Sequence, residues 1–139
     1  GFVVIDEKLM VIGGLVDNGY SAEASADTYS YDPILNRWSL LAKMNVARFE
    51  FACSVVGDLV YAIGGHGAGG EGLSSVEVFD RQRNKWTLIE SLKRPRWGCF
   101  ACGLEDKLYV MGGRSSFTIG NSRYVDIYDP KKHVWNETN

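Results

Sequence analysis

The sequence predicts an all-β protein of the propeller class, in which small four-stranded antiparallel sheets stack face to face. Three observations carry that expectation. Apolar runs end in paired glycines at "MVIGG" (10–14), "VYAIGG" (60–65) and "YVMGG" (109–113). An aromatic residue followed by Asp recurs at Tyr31-Asp32, Phe79-Asp80 and Tyr128-Asp129, each aromatic seven residues before a Trp at 38, 86 or 135. No segment of helical period longer than about two turns competes with the strand signal.

The offsets define a repeat. Gly-Gly recurs at spacings of 51 and 48, and Trp at 48 and 49. A period near 48 lies in the range of propeller repeats. It divides the chain into units 1–42, 43–91 and 92–139. Arg48 and Arg96 each follow a Trp by ten residues and precede a Gly-Gly by sixteen. Only the stretch after Gly-Gly varies, with 16, 13 and 14 residues before the aromatic. Variable length inside a fixed frame marks a surface loop.

Each unit reads as four short strands. In the middle copy these are 50–56, 59–65, 74–80 and 85–91, rich in Val, Ile, Phe, Tyr and Trp and separated by turn residues. Gly57-Asp58 suits a two-residue hairpin. "DPILNRW" and "DRQRNKW" suit slightly longer ones, with Asn36 and Asn84 able to turn left-handed and His133 at the matching place. The second strand is apolar at successive positions, Val60 to Ile63, which marks a strand buried on both faces. Glycine at its end removes a side chain where another group comes close. The expected group is an aromatic: Trp86 or Phe79, or their counterparts Trp38, Tyr31, Trp135 and Tyr128. Glycine also permits positive φ as the chain turns into the loop.

Bulk properties exclude other classes. At 139 residues the chain fits one ordinary domain, and 45% hydrophobic with 23% charged residues is the globular range. A formal net charge of −2 does not suit nucleic acid. No apolar stretch nears the roughly 20 residues that span a bilayer. The N-terminus reads as a strand rather than a signal peptide, so the chain is expected to start inside a larger protein. Cys53, Cys99 and Cys102 are too few and too odd in number for a disulfide framework. A reducing compartment, cytoplasm or nucleus, is expected.

A hydrophobic run, Gly-Gly, then a spaced Tyr and Trp resembles the kelch repeat, and all three copies match, with Phe79 where Tyr is usual. The resemblance implies three blades of a larger ring, commonly six-bladed. Three blades do not close a ring, so an isolated trio is expected to be poorly soluble or partly folded. The resemblance also implies a protein-interaction module. Many such propellers hold the substrate of a cullin-RING ubiquitin ligase, joined to the ligase core by an F-box or BTB region outside these residues. This chain most resembles the F-box kind. Alternatives are a cytoskeletal or scaffold kelch protein binding actin or another partner, and a galactose-oxidase-like enzyme fragment.

Topology places the inter-blade connections and the loops after Gly-Gly on one edge, opposite the short hairpins. That edge holds Lys43, Arg48, Lys93, Arg94, Arg96 and Arg114 against Asp17, Glu23, Glu50 and Glu71. A locally positive edge favours a protein or acidic peptide partner. The expected contacts are Arg48, Glu50, His66, Arg94, Arg96, Trp97 and Arg114. Arg suits carboxylate capture and Trp suits an anchor. The resemblance gives the recognition role in particular to Arg48 and Arg96. A structural role for both, bonding backbone carbonyls, stands beside it.

Other signals are discounted. Residues 65–70 match G-x-G-x-x-G, but a strand follows where a phosphate site needs a helix. Cys99 and Cys102 fall on opposite faces of a predicted strand, with no second pair, so no metal is expected. Asn136-Glu137-Thr138 is a chance sequon. No catalytic set converges, so neither enzymatic activity nor a cofactor is expected.

Overall fold

A computed structural model describes residues 1–115 and 123–138. Strands β1 (Phe2–Ile5), β2 (Lys8–Asp17), β3 (Ala22–Asp32) and β4 (Arg37–Leu40) form the first sheet in sequence order. The second holds β5 (Ala52–Val56), β6 (Leu59–Ile63), β7 (Val76–Asp80) and β8 (Lys85–Ile89). The third holds β9 (Phe100–Leu104), β10 (Lys107–Met111), β11 (Val125–Asp129) and β12 (Val134–Thr138). All pairings are antiparallel. These are three propeller blades.

Local chemistry sets the hairpins. Asp6-Glu7 and Glu105-Asp106 have positive φ at both positions, the geometry of a type I′ turn. At the matching turn of the second blade, Gly57-Asp58, only Gly57 has positive φ, at 62°. The outer hairpins turn on Asn36, Asn84 and His133, all left-handed as expected. The Asp of each aromatic-Asp pair starts that turn. Asp32 Oδ1 accepts the amides of Ile34 and Leu35, Asp80 those of Gln82 and Arg83, and Asp129 those of Lys131 and Lys132.

The continuous apolar run of β6 is now explained. Val60 and Ala62 pack with Val3, Ile5, Met10, Ile12 and Met44, in the seam between sheets one and two. Tyr61 and Ile63 pack with Leu108, Val110, Tyr128 and Trp135, in the seam between sheets two and three. The repeated aromatics pair within each blade: Tyr31–Trp38, Phe79–Trp86 and Tyr128–Trp135 have centroids 4.8, 5.1 and 5.0 Å apart. Trp86 Nε1 crosses to the first blade and donates to Thr28 Oγ1 and Ala42 O, both at 3.1 Å. Trp135 Nε1 donates to Glu90 O at 2.7 Å. The outward faces of the first and third sheets have no covering sheet among the described residues. Phe2, Val4 and Trp38 are exposed on one, and Phe100 and Leu104 on the other.

Three expectations need correction. The paired glycines do not make room for the Trp and Tyr rings. Their neighbours are mainly the backbone of the inter-blade loop. A Cβ on Gly64 would overlap Arg96 O, one on Gly113 would overlap Trp97 O, and one on Gly13 would lie 2.8 Å from Arg48 O. Positive φ operates as well, from 53° at Gly13 to 98° at Gly14. The second correction concerns residues 15–25. They form a protruding hairpin rather than a loop, with β2 and β3 paired out to Asp17 and Ala22 past a bulge at Ile12/Gly14. β-Forming Leu15 and Val16 extend the strand, and Asn18 Oδ1 caps the turn by accepting from the Tyr20 and Ser21 amides. Cys99 also differs, lying just before β9, buried, while Cys102 on β9 is exposed.

Candidate partner-binding face

The linkers between blades and the segments after Gly-Gly meet on one edge. Phe49 and His66 exchange backbone hydrogen bonds of 3.0 and 2.8 Å, and Trp97 and Arg114 do so at 3.0 and 2.9 Å. In each pair the residue after the repeated Arg meets the residue after Gly-Gly. The linkers are also tied across blades. Gly14 N donates to Arg48 O at 2.9 Å, Gly65 N to Arg96 O at 2.7 Å, and Gly98 N to Glu50 O at 2.8 Å.

Arg48 and Arg96 lie beneath this edge, 0% and 1% exposed, which removes them from the contact surface and corrects the expectation of a recognition role. Arg48 donates to Gly64 O, Ser75 O and Ser75 Oγ, and pairs with Glu77 at 2.9 Å. Arg96 donates to Val110, Gly112 and Tyr124 carbonyls and pairs with Asp126 at 2.8 Å. A guanidinium has five donors in a fork, so it can hold several carbonyls of an irregular segment and still meet a carboxylate. Burial pushes the Arg48 pKa down while the Glu77 hydrogen bond and charge oppose the shift. Glu77 also accepts from the Asn45 and Val46 amides, at 2.7 and 2.9 Å, fixing the incoming linker.

Glu77 and Asp126 escaped the sequence reading, though a signal existed. An acid stands two residues before the aromatic in the two copies with a matching Arg, and Tyr29 stands there in the first.

Arg94 is also engaged. Its Nη2 contacts both Glu137 oxygens at 2.9 and 3.0 Å, and its guanidinium lies 4.5 Å over the Tyr124 ring. Lys43 lies 3.7 Å from Asp27. Of the six cations counted on this edge, Arg48, Arg94 and Arg96 are thus paired with carboxylates of the blades and exposed Lys43 with half-exposed Asp27, which leaves Lys93 and Arg114 without an ion-pair partner among the described residues. The positive edge expected from sequence is absent.

The remaining candidates stay at the surface. Half-buried His66 stacks between Phe49 and Trp97, with centroids 5.3 and 4.6 Å away. Phe49 was missed, although an aromatic follows each repeated Arg. Gly72 supports the Trp97 ring, since a Cβ there would lie 2.7 Å from Cζ3. Glu50 is exposed with φ 54°, at the place occupied by Gly98 in the next copy. Arg114 is exposed beside Trp97. The segment 116–122 of this edge lies outside the described residues. Among those described, no group of three or more His, Cys, Asp or Glu is placed to hold a metal.

Comparison with known proteins gives consistent relatives. The Kelch motif matches residues 1–45, 47–93 and 95–138. The F-box/kelch-repeat protein At1g67480 of Arabidopsis thaliana is 56% identical over 96% of this chain and 35% of its own length. Kelch-like protein 34 of Homo sapiens is 34% identical over 93% of this chain and 22% of its own. The structure of YjhT superposes with a TM-score of 0.85 at 16% identity, over 99% of this chain and 50% of that one. The chain therefore spans about a third or less of those two curated relatives.

Proposed function

The chain belongs to the Kelch motif family, and on that premise we propose that it is a protein-recognition module without chemistry of its own. Its partner docks on the linker edge, over the Phe49–His66–Trp97 stack. One observation carries this reading: buried Arg–carboxylate clamps hold the linker backbone, while the aromatic stack above them keeps contact area in water. A preordered surface loses little side-chain and loop entropy on binding, and aromatic side chains are enriched at interface hot spots. We further propose that the whole protein is a ubiquitin-ligase adaptor, its propeller holding the substrate and a region outside these residues recruiting the ligase core. The F-box/kelch name of its Arabidopsis relative supports that extension. The same reading puts it in the cytoplasm or nucleus, where free thiols persist.

The test is partner capture by the full-length protein, crosslinked in its own cells. His66→Ala with Trp97→Ala should remove proteins that the wild type retains, and should stabilise one of them against turnover. Capture that the double variant leaves unchanged refutes docking on this edge.

A further inference from the structure

From the chemistry around the stack, and resting on the docking reading above, we infer that the partner inserts a basic side chain, Arg or Lys, against the Phe49–His66–Trp97 stack. The stack presents electron-rich surfaces. The ring faces of Phe49 and Trp97 attract a cation through their quadrupoles. His66 Nδ1 lies 3.2 Å from Gly70 O, which is an acceptor only, so Nδ1 carries the proton of that contact. In the neutral ring Nε2 is then left as an acceptor for a partner's donor.

Two exposed acidic residues adjoin the stack along the chain. Glu50 follows Phe49, and its carbonyl is bonded to Gly98, the residue after Trp97. Glu71 precedes Gly72, on which the Trp97 ring rests. Its carboxylate lies against Gly67 and Gly69, where a Cβ would overlap Oε1 or lie 2.8 Å from Oε2. Gly67 and Gly69 of the G-x-G-x-x-G stretch thus make room for an acid, not for a phosphate. Among the described residues neither Glu50 nor Glu71 has an ion-pair partner. Arg114 is the nearest cation: its backbone is bonded to Trp97 from the third blade, whereas the Trp97 ring reaches His66 and Gly72 of the second. On the second-blade side of the stack complementarity therefore runs opposite to the acidic-peptide expectation, because Arg48, Arg94 and Arg96, three of the four arginines that motivated it, are paired with carboxylates of the blades.

The experiment pans a random 12-residue peptide library against the full-length protein and measures each recovered peptide on variants. Arg- or Lys-containing peptides should dominate. Trp97→Ala should weaken them about tenfold, the effect of one lost anchor contact. E50Q with E71Q, which changes two exposed carboxylates and leaves the frame intact, should weaken them similarly and flatten their salt dependence. Recovery of acidic or uncharged peptides that still require Trp97 overturns the basic partner and leaves the docking edge standing. A library without any Trp97-dependent peptide overturns both.

Discussion

Arg48 Nη2 lies 2.9 Å from Glu77 Oε2, and neither side chain reaches solvent. Removing one member leaves an uncompensated charge inside the blade, which costs about 3–5 kcal/mol. Arg48→Ala and Glu77→Ala should each lose that much in urea unfolding, and Arg48→Lys should recover little, since an ammonium cannot match the fork. The double variant should cost less than the sum of the two single ones.

Gly57 and Gly64 form a matched pair, both at φ 62°. A Cβ on Gly57 meets nothing within 4 Å, whereas one on Gly64 overlaps Arg96 O. Gly57→Ala therefore carries only the left-handed backbone cost, about 1–2 kcal/mol. Gly64→Ala adds displacement of the linker and should exceed it clearly in the same unfolding assay.

Tyr128 Oη donates to Glu90 Oε1 at 2.6 Å. That hydrogen bond holds the Glu90 carboxyl below its ordinary value, against slight desolvation and with help from nearby His133. Burial, then the carboxylate, pushes the Tyr128 phenol up. A lowered acid contributes stability that is present above its unfolded value, about 4.3, and is lost as pH falls through the lower folded one. A raised phenol contributes stability that is full below about pH 10 and declines as pH rises beyond it. Melting temperature should fall at both extremes, and Tyr128→Phe should reduce both slopes. Equal slopes in wild type and variant would remove this pair from the pH response.

The thiols should separate by reactivity. Cys102 is exposed, while burial pushes the Cys99 and Cys53 thiols up. In residues 1–139 by themselves, where Cys102 lies with Phe100 and Leu104 on the uncovered face of the third sheet, a thiol-disulfide reagent near neutral pH should label one cysteine rapidly and two only on unfolding.

Much of the architecture was legible because propeller packing repeats. Burial on both sides of β6 follows from its unbroken apolar run, and the outer turns follow from Asn36 and Asn84. What the chain pattern concealed was direction. Arg48 at a loop position reads as a surface cation, and only the acid at 77 reveals that it points inward. The glycines likewise declare a close approach without naming the neighbour, which proved to be linker carbonyls. The hairpin at 15–25 was hidden because "LVDNGYSAEAS" carries turn chemistry that suits a loop equally well.

Each linker arginine serves two blades at once: its carbonyl meets a glycine of the blade before, and its guanidinium enters the blade after. The residue that follows it, Phe49 or Trp97, is held by main-chain bonds that any non-proline side chain would permit. Specificity is therefore separable from assembly. If the partner docks on this edge as proposed, exchanging the side chains at 49, 66, 97 and 114 should retarget the surface while the scaffold stays as it is.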